Sequence, residues 1–232
     1  MILNLSGELF PDSWADLFRE CGYDRGFYCP ADIRNALDSL GDGEELELQI
    51  NSIGGSVDAA AEIYSLLAST QHPTKAVIQS LAASAASYMI QSCDRIEIHL
   101  PAQMMIHLAS CGISGNKHAM SRGYQMLDAA DRSILAVYAK KCAGKTDETT
   151  LEHLMENETY LTSSDALTYG LVDAVVGAED EGGQPMLAAS AFSNTVRAMR
   201  TLPPVEDLIS RKKYQEKAAL ERELAAEMNR YK

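Results

Sequence analysis

Three short runs of residues contain the parts of an acyl-transfer site. They are Asn51-Ser52-Ile53-Gly54-Gly55-Ser56-Val57, Ala82-Ala83-Ser84-Ala85-Ala86-Ser87 and Met105-Ile106-His107, in that order between positions 51 and 107. Acyl transfer needs backbone N–H groups for an oxyanion, a nucleophile, and a base that activates it. A glycine pair alone indicates only a turn, and one serine among alanines indicates only a helix start. The ordered combination is much rarer and predicts nucleophilic chemistry.

Ser84 is the candidate nucleophile, because the alanines on both sides let substrate and backbone approach it closely. Ser80 and Ser87 compete with it. Ser87 lies one helical turn further on, where a serine commonly bonds to the backbone. His107 is the candidate base, since the apolar residues before it predict a buried strand with the imidazole at its end. Histidine side chains titrate close to neutral pH and can act as base and then as acid.

Alternating strands and helices surround these runs and predict an α/β fold. Glu45–Ile50 alternates as a half-buried strand does, and it leads directly into the glycine pair. Residues 1–28 show little pattern beyond an N-terminal strand. The other predicted elements are helices over 29–40, 56–69, 116–141, 147–155 and 163–169, strands over 74–80, 95–100, 103–107 and 171–176, and a helix that begins at Ser84.

Bulk properties exclude several classes of protein. A net charge of −13 disfavours nucleic-acid binding through a basic surface. No stretch approaches the roughly 20 apolar residues of a membrane span. The N-terminus does not have the pattern of a signal peptide, so the cytoplasm is the expected compartment. Five scattered cysteines, without a Cys-x-x-Cys pair, predict free thiols rather than a zinc site or a disulfide framework.

The three runs resemble the proteolytic subunits of the Clp protease family, which carry Asn-Ser-Pro-Gly-Gly-Ser-Val, Ala-Ala-Ser and Met-Ile-His in this order. The resemblance extends from about Leu46 to Val176, and Ala166–Asp173 is similar to the family's Glu-Ala-x-x-Tyr-Gly-Leu-Ile-Asp. The register is closer to divergent, phage-type members than to the housekeeping subunit. The departures are Ile53 for a proline, Ser80 and Ala86 for glycines, and Leu108-Ala109 for Gln-Pro.

The resemblance implies a ClpP/crotonase-like spiral of β-β-α units with a long handle helix, forming a serine peptidase domain over residues 1–177. A linker over 178–204 and a helical tail over 205–232 are expected to follow, because the composition changes after Val176. The tail is either mobile or a docking helix.

The resemblance also assigns roles within the site. Ser84 aligns with the family's nucleophile, and the backbone N–H groups of Gly55 and Ala85 align with its oxyanion hole. The family's third catalytic residue, an aspartate, aligns with Glu158, and Glu156 is the alternative acid. A solvated acidic loop at these two glutamates remains open.

A serine endopeptidase working through an acyl-enzyme, without metal or organic cofactor, is the implied activity. The implied partners are polypeptide substrates and identical subunits in a heptameric ring or a stacked pair of rings; docking of an AAA+ unfoldase is left open. Apolar residues on more than one face of the 116–141 helix agree with a partner. The rivals are a crotonase-type acyl-CoA enzyme, a catalytically silent protein of a prophage capsid module, and, more weakly, a Ser–Lys peptidase.

Overall fold

The computed structural model describes residues 1–177, 203–204, 207–210 and 212–213. Strands and helices alternate through this part of the chain, and the predicted α/β class is confirmed. The strands are β1 (Ile2–Leu9), β2 (Phe27–Tyr28), β3 (Leu46–Gly55), β4 (Thr74–Ala83), β5 (Arg95–His99), β6 (Gln103–Ile106), β7 (Thr159–Thr162) and β8 (Ala174–Val176). The helices are α1 (Asp12–Glu20), α2 (Pro30–Asp38), α3 (Val57–Ser69), α4 (Ala85–Met89), α5 (Lys117–Lys141), α6 (Glu148–Glu156) and α7 (Ser163–Tyr169), with a 3₁₀ turn at Ile90–Ser92.

Six strands form a parallel sheet in the order β2-β1-β3-β4-β5-β8. β3 alternates strictly between buried and half-buried residues along most of its length, as its sequence predicts. Leu46, Leu48 and Ile50 face the core, where α2 and α3 pack. Because the strands run parallel, their carboxyl ends lie at one edge of the sheet, which is the usual location of ligand sites in such folds.

β4 divides this sheet at its middle. Its first half pairs with β5, while Leu81–Ala83 pair with β6 instead. Between the halves, Gln79 and Ser80 are exposed, and the register against β3 shifts from Ile50 opposite Ile78 to Ser52 opposite Ala82. β7 then adds to β6 in the antiparallel direction. Because β4 changes its neighbour in this way, the carboxyl end of β4 lies beside β6 and not beside β5.

The helix boundaries follow local capping. Asn116 caps α5 by accepting from the N–H groups of His118 and Ala119, so the helix begins one residue later than predicted. Thr162 and Asp165 form a reciprocal capping box at the start of α7. Cys29 is the residue before α2, and Asp32 accepts from its N–H at 2.9 Å.

Three expectations from the sequence differ from the structure. The predicted N-terminal strand is β1, but the rest of the first 28 residues, which showed little pattern, also forms α1 and β2. The segment from Thr159 to Thr162 is a strand, although no strand was predicted there. The closing strand begins at Ala174 rather than Leu171, because Leu171 and Val172 are buried in the connection that follows α7.

A small second cluster of apolar side chains joins α1 to the described C-terminal residues. Phe18 and Phe10 have ring centroids 4.9 Å apart, and Leu208, 1 % exposed, packs with them. Lys212 also forms an ion pair with Glu20 of α1.

Most of the predicted linker and tail falls outside the described residues. No helix within the described part is both long and apolar enough to cross a bilayer.

Candidate active site

The three runs singled out from the sequence meet at the carboxyl edge of the sheet. β3 ends at Gly55, β4 ends immediately before Ser84, and β6 ends immediately before His107. Ala83 pairs with Met105, and the Ser84 N–H donates to the Met105 carbonyl at 2.9 Å. This pairing brings residue 84 beside residue 107 although 23 positions separate them in the chain.

Ser84 lies on a sharp turn between β4 and α4. Its φ of 54° and ψ of −128° are disfavoured for a residue with a side chain. Such backbone strain persists only where the surroundings hold it, and it is concentrated at functional sites. In this conformation the Ser84 hydroxyl faces His107.

The Ser84 hydroxyl and the His107 imidazole are in direct contact. His107 Nε2 is 2.7 Å from Ser84 Oγ, and both residues are only partly buried. Within the described part of the chain, this is the one hydrogen bond that the imidazole makes. The serine proton therefore has an acceptor within hydrogen-bonding distance, as activation of a hydroxyl nucleophile requires.

Ser87, a competing nucleophile in the sequence, is buried and fully engaged. Its Oγ is 2.7 Å from the Ser84 carbonyl, 3.1 Å from the Met105 carbonyl and 2.7 Å from the Tyr138 hydroxyl. Since the single Ser87 hydrogen serves the carbonyls, Tyr138 must donate to Ser87. Burial raises the pKa of Tyr138, so this phenol keeps the proton that it donates. Ser87 therefore ties the turn at Ser84 and β6 to α5. The sequence places Tyr138 among the apolar residues of this helix, but it gave no sign of the contact with Ser87.

Each glycine of the pair is required by a different close approach. A Cβ on Gly54 would lie 2.6 Å from the Ala83 carbonyl oxygen and 2.8 Å from the Ala85 nitrogen. A Cβ on Gly55 would lie 2.1 Å from the Leu9 carbonyl oxygen. The φ of Gly55 is 148°, which residues with a side chain rarely adopt, and the steric demand at this position comes from Leu9 of β1. The absence of a side chain at Gly54 leaves room for the turn that carries Ser84.

Ser52 anchors the glycine pair through a buried cluster of hydrogen bonds that the sequence did not reveal. Its hydroxyl donates to the Gly7 carbonyl at 2.7 Å and accepts from the Gly54 N–H at 3.1 Å. The Tyr28 hydroxyl is 2.9 Å away and acts as donor, because Ser52 has already given its hydrogen. Burial raises the pKa of Tyr28, which keeps it protonated. β1 and β2 thus help to fix the turn that faces Ser84.

Glu158 lies beside His107 in the strand register, but within the described part of the chain no hydrogen bond joins the two side chains. Ile106 pairs with Thr159 in the antiparallel ladder, so His107 and Glu158 are the next residues along. Glu158 is exposed and has a φ of 47°, in the left-handed region. Within the described part neither Glu158 nor Glu156 is hydrogen-bonded to the imidazole. Glu156 ends α6 and is likewise exposed.

The segment after His107 is anchored on α5. The Ala109 N–H donates to Asp131 Oδ1 at 2.6 Å, a short hydrogen bond to a charged acceptor. Gly123, inside the helix, leaves room for Ile113; a Cβ there would lie 1.8 Å from Ile113 Cδ1. Neither contact followed from the sequence, because both join a loop to a helix surface.

A serine hydroxyl on a strained turn, in contact with an imidazole and next to a glycine pair, has the geometry used by hydrolases that transfer acyl groups. A model of the Clp protease family matches residues 35–179, more than half of the 232 residues. The chain belongs to the Clp protease family, a family of peptidases, and the resemblance drawn from the motifs is confirmed. The matched range contains β3 to β8 and all three runs.

Proposed function

We propose that this chain is a serine endopeptidase that hydrolyses peptide bonds through an acyl-enzyme. The observation that carries the proposal is the 2.7 Å contact between Ser84 Oγ and His107 Nε2. The strained backbone at Ser84 supports it, because a serine serving only as a helix cap needs no such conformation. Family membership supplies the substrate class, which is polypeptides.

The first half of the reaction forms one bond and breaks one. Ser84 Oγ bonds to the carbonyl carbon of the substrate while its proton passes to His107 Nε2. The tetrahedral intermediate then expels the amine, which takes the proton from the imidazolium as the C–N bond breaks. In the second half, water attacks the ester with His107 again as base, releasing the acid and restoring Ser84.

The oxyanion would be bound by the N–H groups of Gly55 and Ala85. Ala85 is the first residue of α4, and the first amides of a helix have no partner within it. Each donor of this kind contributes roughly 3 kcal/mol to transition-state stabilisation in proteases. Glu158 is the proposed carboxylate for His107 Nδ1, and its adjacent place in the β6–β7 register supports this role. The exposed side chain would have to turn towards the ring, and Glu156 is the alternative.

Active-site labelling tests the proposal directly. A fluorophosphonate should add one covalent group to the protein, on Ser84, and Ser84→Ala should abolish both labelling and peptide hydrolysis. Ser80→Ala is the matched control, because Ser80 lies on the same strand with an exposed side chain and should leave both unchanged. Labelling and hydrolysis that persist in Ser84→Ala would refute the assignment. Folded protein that no reagent labels would favour the silent assembly protein.

We also propose assembly into a ring of identical subunits. Met120, Tyr124 and Met126 on α5 are 44, 72 and 57 % exposed, an apolar surface that the described part of the chain leaves uncovered. Native mass spectrometry should find a closed oligomer, and a monomer throughout the micromolar range would contradict it. A cytoplasmic location and a phage-type subfamily remain predictions. All five cysteines are free thiols, which suits a reducing compartment.

A further inference from the structure

A small cavity opens beside the Ser84–His107 pair. Both residues line it together with Val57, Tyr88, Ile134 and Tyr138, and its volume is about 10 Å³. That is room for about one water molecule. Apart from Ser84 and His107, these walls are aliphatic or aromatic, and the volume limits the cavity to a very small group.

Two aromatic walls of the cavity are held by buried contacts, so widening it at these rings would disturb the core. Tyr138 is 1 % exposed and hydrogen-bonded to Ser87. The Tyr88 ring stacks on Tyr64 with centroids 5.9 Å apart and planes 3° from parallel. Moving either ring would break a buried hydrogen bond or a stacked pair, and packed interiors resist such shifts.

We infer that this cavity receives the side chain of the residue whose carbonyl is attacked and that it selects glycine, alanine or serine there. In the acyl-enzyme, that residue's Cα is bonded to the carbonyl carbon held on Ser84 Oγ. Its side chain must therefore begin within a few bonds of Ser84, where the cavity lies. A methyl or hydroxymethyl group matches the space, whereas isobutyl or benzyl does not. The inference rests on the proposed peptidase activity and narrows its substrates to chains cut after small residues.

Phosphonate reagents that differ in one side chain test the size limit. Three diphenyl aminoalkylphosphonates, carrying methyl, isobutyl and benzyl groups, are compared by the second-order rate at which each labels Ser84, followed by intact-protein mass spectrometry. The methyl reagent should react about 100-fold faster than the benzyl reagent, the scale on which enclosed apolar pockets discriminate. Equal or faster labelling by isobutyl or benzyl would overturn the size limit and leave the nucleophile standing. A simple fluorophosphonate reports Ser84 reactivity separately, and its failure would remove the proposed function and this inference together.

Variants on one helix test the location of the cavity. Ile134 lines it, and its neighbour Leu135 lines a separate groove over α6, so Ile134→Ala is compared with Leu135→Ala. Ile134→Ala should raise the isobutyl-to-methyl rate ratio about tenfold. Leu135→Ala should leave it unchanged. Ile134→Val removes a single methylene, keeps the fold, and should raise the ratio in the same direction by a smaller factor. A ratio that stays constant in folded Ile134→Val would overturn the assignment of the cavity.

Discussion

Glu158 offers a test in which stability and catalysis should change in opposite directions. Its φ of 47° places a residue with a side chain in the left-handed region, which costs roughly 1–2 kcal/mol. Glycine removes that cost but loses roughly 0.5–1 kcal/mol through its freer unfolded chain. The exposed side chain makes no hydrogen bond within the described part, so nothing else is lost. Glu158→Gly should therefore stabilise the fold by about 0.5–1 kcal/mol.

The activity of Glu158→Gly should fall steeply if the carboxylate orients His107. Loss of such an acid leaves the imidazole in the wrong tautomer and costs up to ~10⁴ in kcat in a well-studied triad. The Tm should meanwhile rise by about 1–4 °C for a chain of this size. Glu158→Gln keeps the shape and the backbone strain, so it should lose kcat without gaining stability. Thermal unfolding at one protein concentration and kcat on a small peptide measure the two effects.

One result would refute the proposed role of Glu158 in orienting His107. Glu158→Gly with unchanged kcat and a raised Tm would show that the residue is only a strained connection between α6 and β7. Glu156→Gln is the matched control, since Glu156 lies two residues earlier and is equally exposed; it should be close to neutral. If that variant is the impaired one, the alignment is displaced by two residues. If no glutamate variant matters, the site is a Ser–His dyad.

Substitutions at Gly54, Tyr138 and Asp131 test the parts that support the site. Gly54→Ala should abolish activity and destabilise by several kcal/mol, because its Cβ would lie 2.6 Å from the Ala83 carbonyl oxygen. Gly43→Ala has a comparable φ of 77° in open space and should cost only about 1 kcal/mol, so equal Tm losses would contradict the steric argument. Tyr138→Phe removes the donor to the serine one turn after the nucleophile; kcat should fall about tenfold, and a Tm loss with unchanged kcat would make its role purely structural. Asp131→Ala should lower kcat by freeing the loop after the histidine, Asp131→Asn should restore part of it by accepting the same N–H, and equal kcat in both variants would refute the anchor.

The contact between Ser84 and His107 was predictable from the sequence because short runs of neighbouring residues define both positions. Ser84 lies between a strand and a helix, and His107 directly follows an apolar strand. The sequence pattern around each residue is therefore enough to place it at the end of a strand. The glycine pair was predictable for the same reason, although not the reason that each glycine is needed. Contacts between residues far apart in the chain could not be predicted in this way. The hydrogen bond between Tyr138 and Ser87, for example, joins residues 51 positions apart.

The missed elements are those whose stability comes from tertiary packing. β7 has four residues, and it exists as a strand because it pairs with β6, some 55 positions earlier in the chain. α1 is nine residues long, too short to be stable alone. It is held by Phe18 packing against Phe10 and Phe27, with centroids 4.9 and 5.2 Å away. Neither periodicity nor capping could reveal these partners.

A partner for α5 remains a prediction, and most of the apolar residues of this helix lie on one stripe rather than on several faces. Apolar residues on more than one face of α5 suggested a partner, and Met126 fits that description. Met120, Tyr124, Ile134 and Tyr138, however, recur at helical spacing along a single stripe. Ile134 and Tyr138, which pack over the turn at Ser84, are 5 and 1 % exposed. Met120 and Tyr124 are 44 and 72 % exposed. With 25 residues, the helix is ~37 Å long. The stripe therefore continues from the buried residues that pack over Ser84 to the exposed Met120 and Tyr124, which form the apolar surface that a second copy would cover in the proposed ring.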